Sequence, residues 1–411
     1  MTRLTRTVDV LIVGAGPAGL AAAARLAAEG TRRRRVEVIE REQHPGGVPR
    51  HCHHGGFGLR DLDLRRPMSG PRYATHLAAE ALRAGADLRT GVTVTGWAGP
   101  RTLETTGPAG LERITARAVV LATGARERPR SARLVPGTRP AGVFTTGELQ
   151  QAVHLYGQRV GSRAVVVGAE PIAFSAVRTL RAGGVEVAAM VTDQPSHRLS
   201  GLRPPVPLLT DTTVSDLAGR SRLTGVALRH RDGRTTTIGC DTIVFTGDWI
   251  PDHELARRGS IPLDPGTRGP SVDAAFRTAE PGVFAVGNLL HGVESASTAA
   301  EEGRCAAGRV ERHLAGEAWP GPGLPVRGEG PLRWVAPNRV APDGPRPLRG
   351  RFILRTSEPL ALPLLVVSQD GRVLHRQPSP RTALPGRALH LRADWTGRTD
   401  PGGGPVTITA Y

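Results

Sequence analysis

A short polar segment of the chain concentrates side chains that can move protons. Cys52, His53 and His54 follow one another there, and histidine is the side chain whose ordinary pKa lies nearest neutral pH. His291, far along the chain, is a further candidate of the same type. We therefore predict these four residues as candidate catalytic acids or bases.

The same segment invites interpretation as a metal site, but its spacing argues against one. Successive residues of an extended loop point in alternating directions, so few side chains between His51 and His54 can reach one ion. The segment also lacks the C-x-x-C and H-x-x-x-H spacings of zinc sites. We predict no metal.

The basic residues exclude several cofactor classes. All 54 are arginine, so the chain lacks the lysine that a Walker-type phosphate loop or a pyridoxal-phosphate enzyme requires. The formal charge of +17 is spread along the chain rather than gathered in one patch, so we expect no nucleic-acid partner. Three widely separated cysteines, Cys52, Cys240 and Cys305, indicate a reducing compartment, and we expect a cytoplasmic protein.

A glycine-rich loop of the dinucleotide-binding type precedes these candidates. The apolar run 8–13 leads into Gly14-x-Gly16-x-x-Gly19, an alanine-rich helix and a strand that ends at Glu40. The first glycine permits a tight turn, the second lets a pyrophosphate approach, and the third lets helix and strand pack closely. The helix N-terminus attracts phosphate, and Glu40 can accept hydrogen bonds from a ribose.

Two later segments carry a family resemblance. The strand 117–121 runs into Ala122-Thr123-Gly124, and residues 278–288 read TAEPGVFAVGN. With the first loop, they resemble the FAD-dependent pyridine nucleotide–disulfide oxidoreductase superfamily. The resemblance implies FAD as cofactor, with Asn288 in the place of the family's usual Asp. The predicted FAD-binding residues are Gly14, Ala15, Gly16, Pro17, Ala18, Gly19, Glu40, Arg41, Gly47, Val94, Ala122, Thr123, Gly124, Gly287 and Asn288.

A second strand–loop–helix unit repeats the first in damaged form. Residues 164–167 lead into Gly168-Ala169-Glu170, where Glu170 replaces the glycine that would let a pyrophosphate approach. Two like charges about 4 Å apart repel by ~1 kcal/mol in water and ~4 kcal/mol near a protein surface. The dipole of the helix that follows would stabilise a bound phosphate by at most ~2 kcal/mol, which offsets only part of the repulsion expected near a protein surface. NAD(P)H binding is therefore predicted to be disfavoured, although Asp193 remains available to a ribose.

The candidate catalytic segment has a closer resemblance. Residues 46–62 read GGVPRHCHHGGFGLRDL, and GPRYA follows at 70–74. This pattern is similar to the flavin subunits of opine oxidases and hydrogen cyanide synthases. The resemblance implies oxidation of a C–N or C–O bond in a small amino- or hydroxy-acid-like substrate. It also implies that electrons pass to a partner, either a [2Fe–2S] subunit or a second flavoprotein subunit.

A single cysteine in this segment has a consequence of its own. Disulfide reductases of the superfamily carry two cysteines there, whereas this chain has only Cys52, which excludes dithiol relay chemistry. Three other functions stay open: a non-catalytic flavin subunit for electron transfer or assembly, an NAD(P)H-dependent reductase, and an RNA-modifying flavoprotein.

These motifs need an α/β fold with two Rossmann-like domains, the second inserted in the first, and a small C-terminal β domain. We expect the last to dock a partner or a second copy of the chain, and its deletion to leave FAD bound. No apolar run reaches the ~18 residues of a membrane span. The predicted FAD-binding domain, NAD(P)-like domain, FAD-binding remainder, linker and β-rich domain occupy 1–155, 156–264, 265–316, 317–331 and 332–411.

Overall fold

The computed structural model describes residues 4–28, 34–59, 61–62, 66–195, 204–292, 294–321, 323–341 and 343–411. The α-helices are α1 (Pro17–Ala28), α2 (Gly70–Arg83), α3 (Thr146–His154), α4 (Pro171–Ala182), α5 (Glu254–Arg258) and α6 (Ala296–Leu314). The first strands are β1 (Leu4–Val13), β2 (Val36–Glu40), β3 (Asp87–Thr90), β4 (Thr93–Gly99), β5 (Thr102–Gly107) and β6 (Gly110–Leu121).

The middle of the chain holds β7 (Ala125–Glu127), β8 (Val143–Thr145), β9 (Arg163–Val167), β10 (Glu186–Val191), β11 (Leu208–Leu209), β12 (Thr212–Gly219), β13 (Leu223–His230), β14 (Thr235–Gly239), β15 (Thr242–Phe245) and β16 (Trp249–Pro251). The remaining strands are β17 (Val283–Ala285), β18 (Leu324–Gly328), β19 (Leu332–Ala336), β20 (Arg339–Val340), β21 (Arg351–Thr356), β22 (Leu364–Gln369), β23 (Arg372–Pro378), β24 (Leu389–Arg392) and β25 (Val406–Ala410).

The chain divides into two compact units. Unit 1 comprises Met1–Arg50, Gly55–Ala125 and Pro251–Tyr411, and unit 2 comprises His51–His54 and Arg126–Ile250. Each unit contains a parallel sheet of the dinucleotide-binding type, and the second interrupts the first along the chain. This arrangement confirms the predicted α/β fold class.

The main sheet of unit 1 explains why the predicted motifs come together. Its strands run β3-β2-β1-β6-β5-β4, and β17 also pairs with β6. The strands β1, β2, β3, β6 and β17 are parallel, and the inner half of β1 is fully buried, as its continuous apolar run predicts. Because parallel strands end at one edge, the residues that follow β1, β2, β6 and β17 gather there.

Unit 2 begins earlier than the predicted boundary at 156. Its parallel sheet runs β11-β10-β9-β15-β8, so β8 already belongs to it. Leu149 of α3 is buried with Ala176 of α4 in the same apolar core. The capping box at Thr145, in which the Glu148 carboxylate accepts from the Thr145 amide at 2.7 Å, starts α3 directly after β8. A three-stranded antiparallel sheet, β12-β13-β14, completes the unit.

The C-terminal part of unit 1 is a two-sheet β structure. One sheet runs β20-β18-β25-β22-β23 and the other β19-β21-β24, around a core that contains Trp395 and Phe352 with their rings stacked 5.0 Å apart. Strand β18 lies inside the predicted linker and pairs with β25, so this β domain starts before residue 332. Among the described residues, we find no helix that is both long and apolar enough to cross a bilayer.

Candidate functional site

The first glycine loop forms a tight cradle between β1 and α1. Gly14 has φ +105°, and a side chain there would overlap the Ala122 carbonyl oxygen. A side chain on Gly19 would overlap the Gly14 carbonyl oxygen, so helix and strand pack as closely as predicted. Gly16 differs, because no atom lies within 4 Å of where its Cβ would be. The loop therefore presents an open face at the N-terminus of α1, where a pyrophosphate would bind.

Glu40 ties the end of β2 to this loop. It is buried, its Oε2 accepts from the Ala15 amide at 2.9 Å, and its Oε1 accepts from the Glu42 amide at 2.9 Å. Each carboxylate oxygen has a second lone pair, so its predicted role as a ribose acceptor stays a prediction. Arg41 next to it is mostly exposed, with Nη2 4.0 Å from Asp252 Oδ2.

A second pair of glycines approaches the cradle from the segment after β2. The Gly46 amide donates to the Ala15 carbonyl at 2.7 Å. Gly47 has φ +61°, and a Cβ there would lie 2.8 Å from the Gly16 Cα. Only glycine fits this position, and it keeps the Gly16 face free of side chains. Val94, also predicted as an FAD contact, is half-buried on β4 and pairs with Thr105.

The segment after β6 closes the cradle on another side. The Ala122 amide donates to the Val13 carbonyl at 2.8 Å. Thr123 Oγ1 donates to the Asp252 carbonyl at 2.7 Å, and the Asp252 amide donates to the Gly124 carbonyl at 2.9 Å. The Thr-Gly pair thus anchors the chain where it returns to unit 1.

Gly287 and Asn288 complete the edge after β17. Gly287 has φ +73°, a Cβ there would lie 2.8 Å from the Ala18 Cβ, and its amide donates to Glu302 Oε2 at 2.9 Å. The Asn288 side chain accepts from the Glu294 amide at 2.9 Å and donates to the Glu294 carbonyl at 3.2 Å. Both polar atoms of Asn288 therefore clamp the local chain, and its predicted contact with FAD stays a prediction.

The predicted cysteine is unsuited to acid–base work. Cys52 lies in unit 2, is 6% exposed, and its thiol donates to Gln150 Oε1 at 3.4 Å. Burial, together with the charge of Glu127, raises the pKa of the Cys52 thiol to about 12. The thiol is therefore protonated at neutral pH, which argues against the predicted catalytic role.

The two neighbouring histidines differ from Cys52. His53 is exposed and its ring stacks on His154, with centroids 4.1 Å apart, and His54 is half-buried. Burial and the His53 charge lower the pKa of His154, so this partner favours its neutral form.

In the part of the chain that the structure describes, no three His, Cys, Asp or Glu side chains form a metal-binding group.

His291 is enclosed rather than presented to a substrate. It is 1% exposed, and its Nε2 lies 2.9 Å from Glu302 Oε1. Burial opposes its protonation, but the charges of Glu302 and Glu294 outweigh that effect and raise the pKa of His291. Its ring stacks on Trp334, with centroids 6.0 Å apart. This burial argues against direct contact of the His291 side chain with a substrate, and its predicted role as a catalytic acid or base stays a prediction.

Sequence reasoning missed three buried side chains at this edge: Glu302, Trp334 and Arg355. Glu302 did carry a signal, because it falls on the buried face of α6 together with Ala299 and Ala306. The other two come from the C-terminal β domain, and no spacing links them to His291.

The corresponding crevice of unit 2 is filled by the protein's own side chains. β9 and β15 are parallel neighbours, and their carboxyl ends are where a dinucleotide would bind. A Cβ on Gly247 would lie 2.6 Å from Glu170 Oε2, so this carboxylate rests against the backbone after β15. Arg133 donates from Nη2 to the Gly247 carbonyl at 2.6 Å and to the Thr246 carbonyl at 3.1 Å.

Three named relatives match parts of the chain. An opine oxidase subunit of Agrobacterium tumefaciens is 32% identical over 216 residues, 49% of this chain and 40% of that protein. The sarcosine oxidase alpha subunit of Rhizobium meliloti is 28% identical over 272 residues, 62% of this chain and 26% of that protein. The HcnB subunit of the hydrogen cyanide synthase of Pseudomonas protegens is 27% identical over 342 residues, 73% of this chain and 70% of that protein. The chain thus spans less than half the length of the first two.

The architecture also resembles solved flavoproteins. A thioredoxin reductase of Lactococcus lactis superposes with a TM-score of 0.61 at 20% identity, covering 75% of this chain and 99% of that chain. At this identity the likeness concerns the fold alone.

The glycine cradle of unit 1 fits FAD, because its Gly16 face is open and the N-terminus of α1 lies beside it. The sequence model for pyridine nucleotide-disulphide oxidoreductases matches residues 8–303, which includes the cradle and all of unit 2. The family match, the named relatives and the glycine cradle all indicate that the chain is an FAD-binding flavoprotein of the oxidoreductase class. The chain belongs to the pyridine nucleotide-disulphide oxidoreductase family.

Proposed function

We propose that this chain oxidises a C–N or C–O bond of a small amino- or hydroxy-acid-like substrate and passes the electrons to a partner subunit. The observation that carries the proposal is the state of Cys52. It is the one cysteine in the segment where disulfide reductases hold two, and its thiol is buried with a pKa of about 12. Such a thiol is a poor relay for electrons, so electrons that leave the flavin must go to an acceptor other than a disulfide at Cys52.

The names of the relatives indicate which kind of molecule would donate electrons to the flavin. An opine and sarcosine both carry a secondary amine on an amino-acid carbon, and both names belong to oxidases. Oxidation of such an amine to an imine removes two electrons and two protons, one from carbon and one from nitrogen. FAD, when bound, supplies the two-electron acceptor. Gly14, Gly16 and Gly47 would hold its pyrophosphate end, while the rigid backbone around Ala122 and Gly287 fixes the edge of the cradle.

The filled crevice of unit 2 supports an organic electron donor over NAD(P)H. Glu170 places a negative charge where a pyrophosphate would need to bind. Burial lowers the pKa of Arg133, although the charges of Asp248, Glu127 and Glu170 act in the opposite direction. Its two carbonyl partners also engage the Nη2 that would otherwise serve a phosphate.

Anaerobic reduction of the bound flavin tests this function. Purified holoprotein is mixed with N-methylglycine, an N-carboxyalkyl amino acid, a 2-hydroxy acid, NADH or NADPH, and the visible flavin band is followed. We expect bleaching by at least one amino- or hydroxy-acid and none by NADH or NADPH. Bleaching by a nicotinamide alone would contradict the proposal.

A non-catalytic flavin subunit is the second candidate function. It is favoured by the burial of Cys52 and His291, two predicted acid–base residues whose side chains are only 6% and 1% exposed. In that case the isolated chain keeps its flavin oxidised with every organic donor, and bleaching requires addition of the partner that holds the substrate site.

A further inference from the structure

The C-terminal β domain contacts the segment after β17, at the sheet edge where FAD would bind, through two side chains: Arg355 of β21 and Trp334 of β19. Arg355 Nη2 lies 2.7 Å from Glu294 Oε1, and these side chains are only 9% and 12% exposed. The Arg355 guanidinium also lies over the Trp334 ring, 5.6 Å from its centre. Trp334 in turn stacks on His291. The contact is therefore a buried, charged one rather than a loose surface touch.

Two chains of contacts lead from this contact to the two residues after β17, Gly287 and Asn288. In the first, His291 pairs with Glu302 Oε1, and Glu302 Oε2 accepts from the Gly287 amide at 2.9 Å. In the second, the backbone of Glu294 makes both hydrogen bonds of the Asn288 side chain. Each chain of contacts ends on one residue of the Gly287–Asn288 pair.

The position of that pair matters for the cofactor. Gly287 adopts φ +73° with its Cα against Ala18, in the first turn of the helix that presents the cradle. A shift of Gly287 would push directly on this turn, since a single added carbon already comes within 2.8 Å of the Ala18 Cβ. The conformation of the pair is thus coupled to the phosphate-binding end of α1.

We propose that Arg355 and Trp334 are positioning residues for FAD: the C-terminal β domain holds the Gly287–Asn288 edge in its cofactor-binding conformation. This differs from the expectation of a separable appendage whose removal leaves FAD bound. Removing one partner of a buried charge pair leaves the other uncompensated, so loss of Arg355 releases Glu294 and, through it, Asn288. The inference rests on FAD binding and is independent of the substrate.

The test is the FAD dissociation constant, measured from the rise of flavin fluorescence on dilution of the purified full-length holoprotein. We expect Arg355→Gln and Glu294→Gln each to raise the constant about tenfold, and the double variant to be no weaker than either single one, since the two act as a unit. Arg355→Lys retains the charge and should recover part of the loss. Arg392→Gln is the matched control, because Arg392 is in the same domain with a side chain 62% exposed.

The outcomes separate positioning from general damage. A constant within twofold of the wild type in Arg355→Gln, equal to that of Arg392→Gln, would overturn the proposal, as would additive effects in the double variant. If Arg355→Gln does not fold, Trp334→Phe provides the second measurement, because it keeps an aromatic ring on His291 but alters the surface under Arg355. Because Trp334 is buried, this change should also lower the unfolding midpoint, so FAD binding is measured well below that midpoint, where the folded variant should still bind FAD more weakly than the wild type does. A wild type that holds FAD but oxidises no substrate would contradict the proposed function alone.

Discussion

At the scale of single residues, the same side-chain type has opposite effects in the two dinucleotide-type sheets. Glu40 is buried at the end of β2 and ties two strand ends together through backbone amides. Glu170 is exposed at the start of α4, with its carboxylate against Gly247. The Glu40 carboxylate stabilises the first glycine loop, whereas the Glu170 carboxylate occupies the corresponding crevice of unit 2.

Replacing Glu170 by glycine should open the second crevice. We expect Glu170→Gly to tighten NADH binding by about tenfold or more, because it removes both a Cβ and a charge that repels phosphate by ~1 to ~4 kcal/mol. Glu170→Gln should give part of the effect, and Glu186→Gln, an exposed change on β10, none. Titration calorimetry provides the affinities. Tight NADH binding by the wild type would show that the crevice is not closed.

His291 gives a pH dependence with a defined sign. Burial lowers its pKa, but Glu302 and Glu294 raise it further, to above the ordinary value of 6.5, with Arg355 opposing them. Its stabilising contribution is therefore complete below about pH 6.5 and is lost as pH rises through the folded-state pKa. Compared with His291→Gln, the wild type should be more stable by about 3 kcal/mol in mildly acidic buffer. Urea unfolding at several pH values should show that this stability difference decreases as the pH rises. A difference that increases with pH would contradict the raised pKa of His291.

At the scale of elements, the packing of α1 against α6 decides how the cradle is held. A side chain on Gly303 would overlap the Ala18 carbonyl oxygen, so the two helices meet backbone to backbone. Gly308 lies on the same helix with no atom within 4 Å of its Cβ position. The two glycines thus form a natural pair of sites for comparison.

We expect Gly303→Ala to destabilise the protein by about 1–3 kcal/mol, because overpacking a close helix contact forces the backbone apart. Gly308→Ala should instead stabilise it by up to about 1 kcal/mol, since alanine has the better helix propensity. Thermal unfolding midpoints measure both. The Gly303 variant should also lose FAD more readily, because α1 carries the phosphate-binding turn. Equal midpoints for the two variants would contradict the close packing.

At the scale of the whole molecule, the local parts of the fold were predictable and the long-range ones were not. The loop from Gly14 to Gly19 and the strand ending at Glu40 follow from glycine spacing and continuous apolar runs, which depend on neighbours in the chain. The contact of Arg355 with Glu294 joins a strand residue to a loop residue 61 positions away in the chain. No periodicity encodes such a contact, and the inclusion in unit 2 of residues 126–155 likewise depends on the pairing of β8 with a distant strand.

We propose that the flavin takes electrons from a small amino- or hydroxy-acid and that Cys52 takes no part. The most direct measurement is anaerobic bleaching of the flavin band by N-methylglycine and N-carboxyalkyl amino acids, in the wild type and in Cys52→Ser. The buried, protonated thiol predicts that an active donor bleaches both proteins at rates within about twofold. Bleaching by NADPH and by none of these acids, followed by reoxidation of the flavin by a disulfide substrate that is lost in Cys52→Ser, would contradict this proposal.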